Sequence, residues 1–501
     1  MSTDRTPYLE TRETHCAGLV LVGDYAYKFK KPVDFGFLDF TTPEKRAATC
    51  RRELELNRRF SPDVYLGLAD LVLPDGGHEP IVVMRRMPEE RRLSTLIGRG
   101  DDVRSDLRRL ARQLAAVHSL SERGPHIDEE AGLGHLRARW EASFAQVRGF
   151  APAIVEPAAL DEVQRLTRRF LDGRRALFDR RIAEGCAVDG HGDLMADDVF
   201  CLEDGPRALD CLEFDDKLRY LDRIDDASFL AMDLERVGAA DLGAAFLGWY
   251  AEYSGDPAPP SLVHHYIAYR AFVRAKVACL RAEQGGHEAE QARRLLHCAQ
   301  QHLAAGNVTL TLVGGPPGTG KSTLAAALAD RLGMVVLSSD RIRKELSGID
   351  PESSASSGLH AGTYDAEHTA RTYAEMLHRA RLLLELGESV VLDASWGSAH
   401  HRAAARDVAT STVSDMKELA CSAPRSVVLG RIASRAGAAH VVSDADAAVA
   451  VALADSHEPW PEALVVDTQG PLSRSVDVAV DLVRPVRVPE HRRHRSMMAP
   501  D

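Results

Sequence analysis

The sequence predicts two folds in tandem: an α+β unit with a small β-rich lobe and a larger helical lobe, then an open parallel-sheet α/β/α unit. Three observations predict it. After about residue 305, short continuous apolar runs alternate with helical patterns, as in a sheet covered by helices on both faces. Before that point, strand-and-turn patterns fill 17–40 and 68–87 around a charged helix near 43–60, and helices dominate from about 101. The chain has 501 residues, room for two to four domains at about 150 residues each.

Taken in order, DYAYKFKKP (24–32) is a β-like run whose alternation puts Lys28 and Lys30 on one face. CRRELELNRR places Glu53 on the charged helix, and MRRMP (84–88) falls at the connection between the lobes. A loop-and-hairpin stretch at 186–220 interrupts the helices, and a long helical region from about 262 to 304 stops at Gly306-Asn307. Strands follow in VTLTLVGG (308–315), MVVLSSD (334–340), SVVLDAS (389–395), a weaker MKELACSA (416–423) and ALVVDT (463–468). Helices fill the gaps, most clearly at 366–386. The SSASS run (353–357) reads as a mobile loop, and 486–501, with HRRHR at 491–495, as a flexible tail. The expected domains are therefore 1–305 and 306–485.

Composition narrows the partners. Hydrophobic residues make up 45% and charged residues 27%, and the net charge of −12 argues against nucleic acid or an anionic membrane as a general partner. No run approaches the roughly 20 apolar residues that span a bilayer, and the polar start MSTDRTPYLE lacks the core of a secretory signal. The 8 cysteines are scattered without a CxxC pair, so a reduced, cytoplasmic protein is expected. Lysine occurs only 9 times against 53 arginines, which makes each retained lysine informative at a phosphate site.

GPPGTGKS (315–322) fits G-x-x-x-x-G-K-[ST] through Gly315, Gly320, Lys321 and Ser322. Glycine lets successive backbone N–H groups turn inward around phosphates, Lys reaches the β/γ oxygens, and the Ser hydroxyl ligates Mg²⁺. Pro316, Pro317, Gly318, Thr319 and Thr323 complete the expected ATP cradle, between an apolar strand and a helix. Asp393 ends an apolar strand, where a carboxylate holds Mg²⁺ through water; capping of the next helix is the alternative. Asp340 ends another strand, placed to take a hydroxyl proton, with Arg343 as an anion clamp; an N-cap before a basic helix suits the same residues. Arg431 and Arg435, at i and i+4, suit a lid over the phosphates or a solvated face equally well. Trp396 beside Asp393 suits a pocket wall or a packed core.

Residues 308–470 resemble the P-loop kinases of small hydroxylated substrates, the group of gluconate kinase, shikimate kinase and zeta toxins. That resemblance implies a base or substrate-binding role for Asp340. The span 306–485 carries 16 basic and 22 acidic residues, a balance of −6 that weighs against a polynucleotide acceptor.

A second signature lies upstream. HGDLMADDVF (191–200) and RALDCLEFDD (207–216) approach the H-x-D-x-x-x-x-N plus acid-on-a-hairpin pattern of a protein-kinase-like site. Asp193 is the expected proton acceptor, and Asp198 and Glu213 the expected Mg²⁺ ligands. Acids this crowded repel unless a cation joins them. Lys28 is the expected phosphate anchor and Glu53 its partner, although no GxGxxG covers the phosphates. A solvated edge strand is the alternative for Lys28.

Residues 8–300 resemble the aminoglycoside phosphotransferase-like kinases, which implies a bilobal protein-kinase-like fold. The whole chain, with ETHCAGLVLVGDYAYKFKKPVDFGFLDF (13–40) and FLAMDLE (229–235), resembles a bacterial two-domain family in which that fold precedes a P-loop ATPase or kinase. The resemblance implies Asp193 as acid/base, Asp198 and Glu213 as metal ligands, and Lys28 with Glu53 as a nucleotide clamp. Met195 and Asp198 depart from the family's His and Asn.

The expected function is ATP- and Mg²⁺-dependent transfer of the γ-phosphoryl group to a small hydroxylated or amino metabolite, or ATP hydrolysis. The alternatives are a nucleotide-dependent regulatory switch with a weakly active first domain, and a toxin-like kinase held in check by its neighbour.

Overall fold

The computed structural model describes residues 8–13, 16–34, 38–350, 366–435 and 457–484. The expected loop at 353–357 and tail at 486–501 lie outside them. In chain order the first elements are β1 (Leu9–Glu13), β2 (Ala17–Val22), β3 (Tyr25–Lys30), α1 (Pro43–Asn57), β4 (Tyr65–Val72) and β5 (His78–Arg85). Helices α2 (Leu93–Arg99), α3 (Arg104–Leu120), α4 (Pro125–Ala131), α5 (Leu133–Arg148), α6 (Pro157–Gly173) and α7 (Arg175–Ala183) follow. Next come β6 (Ala187–Asp189), β7 (Val199–Leu202), β8 (Gly205–Ala208), β9 (Tyr220–Asp222), α8 (Arg223–Arg236), α9 (Ala240–Ser254), α10 (Pro260–Glu283) and α11 (Ala289–Ala305).

The remaining elements are β10 (Thr309–Gly314), α12 (Lys321–Leu332), β11 (Val335–Ser338), α13 (Ser339–Leu346), α14 (Ala366–Glu385) and β12 (Val390–Asp393). They end with α15 (Ala399–Ser411), β13 (Asp415–Ser422), α16 (Arg425–Arg435), β14 (Leu464–Asp467) and α17 (Leu472–Val483). The chain divides into two compact units, one of 1–163, 178–258 and 262–299, the other of 164–177, 259–261 and 300–501.

In the first unit an antiparallel sheet runs β1-β2-β3-β5-β4. The strand β1 was not anticipated from the sequence. Helix α1 starts where Thr42 accepts the Lys45 N–H at 3.3 Å, with Pro43 in the first turn. Its Cys50 packs with Leu21, Ala26, Tyr65, Val82 and Met84 of the sheet and with Val64 just before β4, and Phe200 of β7 with Leu209 just past β8 closes that core. The sequence's long helical region at 262–304 is two helices, because Gly285 (φ 94°) and Gly286 interrupt it.

The second unit is a parallel sheet in the order β11-β12-β10-β13-β14. Strand alternation divides its apolar residues between two cores. Leu310, Leu312, Val390 and Leu392 face α14 and α15 through Met376, Ala380 and Ala405. Val313, Val391, Leu419 and Val466 meet Leu324 and Leu328 of α12 and Val476 and Val480 of α17. The expected weak strand is eight residues long and paired on both sides. Asp340 stands in the first turn of α13 rather than at a strand end, since β11 stops at Ser338 and an acid suits a helix N-terminus.

Candidate functional site

In the first unit, ladder register brings distant charges together. Val199 pairs with Ala208, so the flanking Asp198 and Leu209 meet, and the Leu209 N–H donates to the Asp198 carbonyl at 2.9 Å. The next residue, Asp210, has φ 63° and its N–H donates to the Tyr65 hydroxyl at 3.1 Å. Cys211 N–H donates to Asn57 Oδ1 at 2.9 Å, which fixes this strand end to α1.

Lys28 Nζ donates to Glu53 Oε1 at 2.7 Å and to Asp210 Oδ1 at 2.5 Å. Lys30, on the same face, pairs with Glu53 Oε2 at 2.7 Å and with Glu213. Burial works to lower the Lys28 ammonium, but Asp210, Glu53 and Glu213 outweigh it and hold it well above the ordinary lysine range. Lys28 in turn draws the Asp210 carboxyl down to about 2. A cavity of about 1080 Å³ opens here, lined by Lys28, Asp198 and Asp210 with Ala17, Met84 and Leu209 among its apolar walls. Glu213 does not line it. The expected pair Lys28 and Glu53 is thus brought together, Asp198 joins Lys28 at the cavity, and Glu213 stands on Lys30 instead. Sequence reasoning missed Asp210, which lies inside the ALDCL run (208–212), two residues beyond the end of β8 at Ala208.

The loop carrying Asp193 is held by its backbone. Asp226 of α8, fully buried, accepts the N–H groups of His191 and Gly192, each at 2.8 Å. A Cβ at Gly190 would lie 2.7 Å from Asp226 Oδ2, so glycine is what permits this approach. Asp233 accepts the Ala196 N–H at 2.9 Å. His118 Nε2 donates to Asp226 at 2.9 Å, and its Nδ1 lies 2.7 Å from the Tyr250 hydroxyl. His191 packs edge-on against Phe60 and donates through Nε2 to the Leu209 carbonyl at 3.0 Å, an orienting rather than a reacting position. Burial, with Asp210, Asp193 and Asp197 adding to it, pushes the Asp198 carboxyl well above its ordinary range. Burial also raises Asp193, against the charge of Arg274. A divalent cation among Asp198 and Asp210 relieves that repulsion, so the donor set fits Mg²⁺.

In the second unit, the turn after β10 runs through Gly315 (φ 138°), Gly318 (φ 85°) and Gly320 (φ 91°) into α12. A Cβ at Gly318 would meet Val428 Cγ1 at 2.8 Å. Pro316 accepts from the Thr319 hydroxyl at 2.8 Å, Pro317 is buried, and Lys321, Ser322 and Thr323 open the helix. Asp393 is buried, and its Oδ1 has no hydrogen-bond partner. Burial raises its carboxyl, while Lys321 and a hydrogen bond from Ser322 pull the other way. An orphaned carboxylate oxygen beside the Lys321 ammonium and the Ser322 hydroxyl fits Mg²⁺.

Asp340 pairs with Arg343 at 3.1 Å. Arg431 donates to the Thr468 carbonyl at 2.6 Å and the Thr319 carbonyl at 3.4 Å, which places its guanidinium on the loop backbone. Arg435 ends α16, and its side chain lies outside the described residues. Trp396 is a core residue, fully buried with φ 53°, its indole N–H on the Leu392 carbonyl at 3.2 Å.

Comparison with known proteins finds relatives of this chain. A family model for an AAA domain matches residues 310–460. An uncharacterized protein of Mycobacterium tuberculosis, Rv2004c, is 46% identical over 480 residues, 95% of this chain and 96% of that one. An uncharacterized protein of Mycobacterium bovis, Mb2027c, matches to the same extent. The chain belongs to this family. The match to these relatives extends over both units of the chain, beyond the residues 310–460 that the family model covers. Among solved structures, a gluconokinase from Sinorhizobium meliloti is 18% identical over 36% of this chain and 91% of that one, with TM-score 0.26. A choline/ethanolamine kinase family protein from Mesorhizobium loti is 13% identical over 60% of this chain and 93% of its own, with TM-score 0.39. The GDP complex of aminoglycoside 2'-phosphotransferase-IIIa is 15% identical over 60% of this chain and 94% of its own, also with TM-score 0.39. No described helix is long and apolar enough to cross a membrane.

Proposed function

We propose that this protein is an ATP- and Mg²⁺-dependent phosphotransferase with two nucleotide sites, one in the region 1–305 and one in 306–485, acting in the cytoplasm on small-molecule acceptors. The observation that carries the reading is Lys28 joined at once to Glu53 and Asp210 on the wall of the cavity. A buried ion-pair relay of this kind has a use where phosphate oxygens and a cation approach together.

In the first site, Lys28 binds phosphate oxygens, held in place by Glu53. Asp198 and Asp210 hold Mg²⁺, and Glu213 serves through Lys30. When bound, Mg²⁺ neutralises charge on the transferring phosphoryl group. Asp193 orients the acceptor and takes its proton, on a loop that Asp226 and Asp233 keep rigid. In the second site, the N–H groups of 315–323 and Lys321 cradle phosphates, and Ser322 with Asp393 holds Mg²⁺. Asp340 takes the acceptor proton, Arg343 orients the acceptor, and Arg431 stays with the loop.

Calorimetric titration of the full chain with ATP tests this. Two Mg²⁺-dependent sites are expected, one lost in Lys28→Ala and the other in Lys321→Ala. A stoichiometry unchanged by either variant refutes the corresponding site. The regulatory alternative has one observation in its favour, the raised carboxyl of Asp198 at the position where the H-x-D-x-x-x-x-N pattern calls for Asn. It predicts nucleotide binding at the first site without turnover.

A further inference from the structure

The acceptor side of the first site carries an unused cation. Arg274 of α10 brings Nη1 to 4.0 Å from Asp193 Oδ1, with its side chain 17% exposed. Its neighbours are engaged: Arg270 grips Asp225 through two bonds of 2.6 and 2.8 Å, and Arg236 grips Asp233 at 2.6 Å. Arg274 has no hydrogen bond among the described residues, and Asp193 is its one ionic partner there. A guanidinium offers five donors in a planar fork. An arginine serving only to neutralise Asp193 would close to about 2.8 Å, the usual length of such a pair.

The geometry points to a phosphoryl acceptor that bears an anionic group, a carboxylate or a phosphate, gripped by Arg274 while its hydroxyl lies on Asp193. This rests on the proposed transfer at the first site and narrows its acceptor class. The fork of Arg274 matches the paired oxygens of such a group. A cationic amino sugar would instead set an ammonium against the guanidinium. Binding also tunes the base. Arg274 is the charge that most opposes the rise of the Asp193 carboxyl. An anion that occupies Arg274 offsets that charge, so Asp193 becomes more basic once an acceptor is seated. In the transfer, Asp193 takes the hydroxyl proton and the acceptor oxygen bonds to the γ-phosphorus. The bond from that phosphorus to the bridging oxygen breaks with its electron pair going to ADP, and Asp193 later releases the proton to water.

The test uses the full chain with Lys321→Ala, saturated with ADP and Mg²⁺, titrated calorimetrically with matched probes. These are glycerate, glycerol and serinol, then gluconate, glucose and glucosamine. The anionic member of each trio is expected to bind about tenfold more tightly, as one charge-assisted contact implies. Arg274→Gln should abolish that preference, Arg274→Lys should keep part of it, and Arg274→Glu should transfer it to the amines. Absence of an anion preference overturns the inference. So does a preference that survives Arg274→Gln or fails to reverse in Arg274→Glu, in variants whose melting temperatures match the parent. Adding Lys28→Ala separates the two levels of the argument. If ADP still binds the doubly substituted chain in a Mg²⁺-dependent way, the nucleotide reading fails; if ADP is lost there but the parent shows no anion preference, only the acceptor class fails.

Discussion

Replacing Tyr65 by Phe removes one oxygen from a buried ring and leaves the Asp210 N–H without the acceptor that holds it at 3.1 Å. Asp210 has φ 63°, a conformation that a non-glycine residue keeps only when its surroundings impose it. An unmet backbone donor costs about 1–3 kcal/mol when buried, and this one is partly buried, so about 1–2 kcal/mol applies here. That corresponds to roughly five- to thirtyfold in an equilibrium. The loss should fall on Mg²⁺, because Asp210 is a proposed ligand and Tyr65 fixes the turn that aims it. The assay is ADP binding to the Lys321→Ala chain across a Mg²⁺ titration, with Tyr65→Phe added. The Mg²⁺ midpoint should rise by about tenfold within that range, and ADP affinity at saturating Mg²⁺ should change far less. A midpoint within twofold of the parent, together with a lowered melting temperature, would refute the reasoning and leave Tyr65 a packing residue.

Other consequences follow from the same geometry. Asp226→Asn puts an amide where two backbone N–H groups and His118 seek an acceptor; denaturant unfolding should show a loss of about 3 kcal/mol, and no measurable change would remove Asp226 from the loop's support. Gly318→Ala forces a side chain into φ 85° against Val428, at a cost of about 1–2 kcal/mol for the backbone alone, so ATP binding at the second site should be lost while the first persists. The raised Asp198 carboxyl sets a pH dependence. Its folded-state value lies above the unfolded one, so the metal-free chain should lose stability as pH rises from the unfolded value through the raised one. Mg²⁺ must displace that proton, so its affinity should increase over the same interval. Asp198→Asn should reduce the slope of both profiles, and a variant whose profiles superpose on the parent's would count against the shift.

The local chain was enough to reveal the second unit's phosphate loop, since a strand, a glycine turn and a helix start within 309–323 build the cradle almost by themselves. Alternating apolar runs likewise spelled out a parallel sheet, and the strand alternation of Lys28 and Lys30 put both on Glu53. The sequence could not say which acid after β8 faces the cavity. That choice depends on the left-handed turn at Asp210 and on Tyr65 from another strand, and it carries Glu213 away to Lys30. Nor could spacing reveal Asp226 under the His191 backbone or Arg274 beside Asp193. Those partners come from helices remote along the chain, and only packing fixes their distance. Motif chemistry is written in neighbouring residues, whereas the support and the charge of the surroundings arise from contacts that exist only after folding.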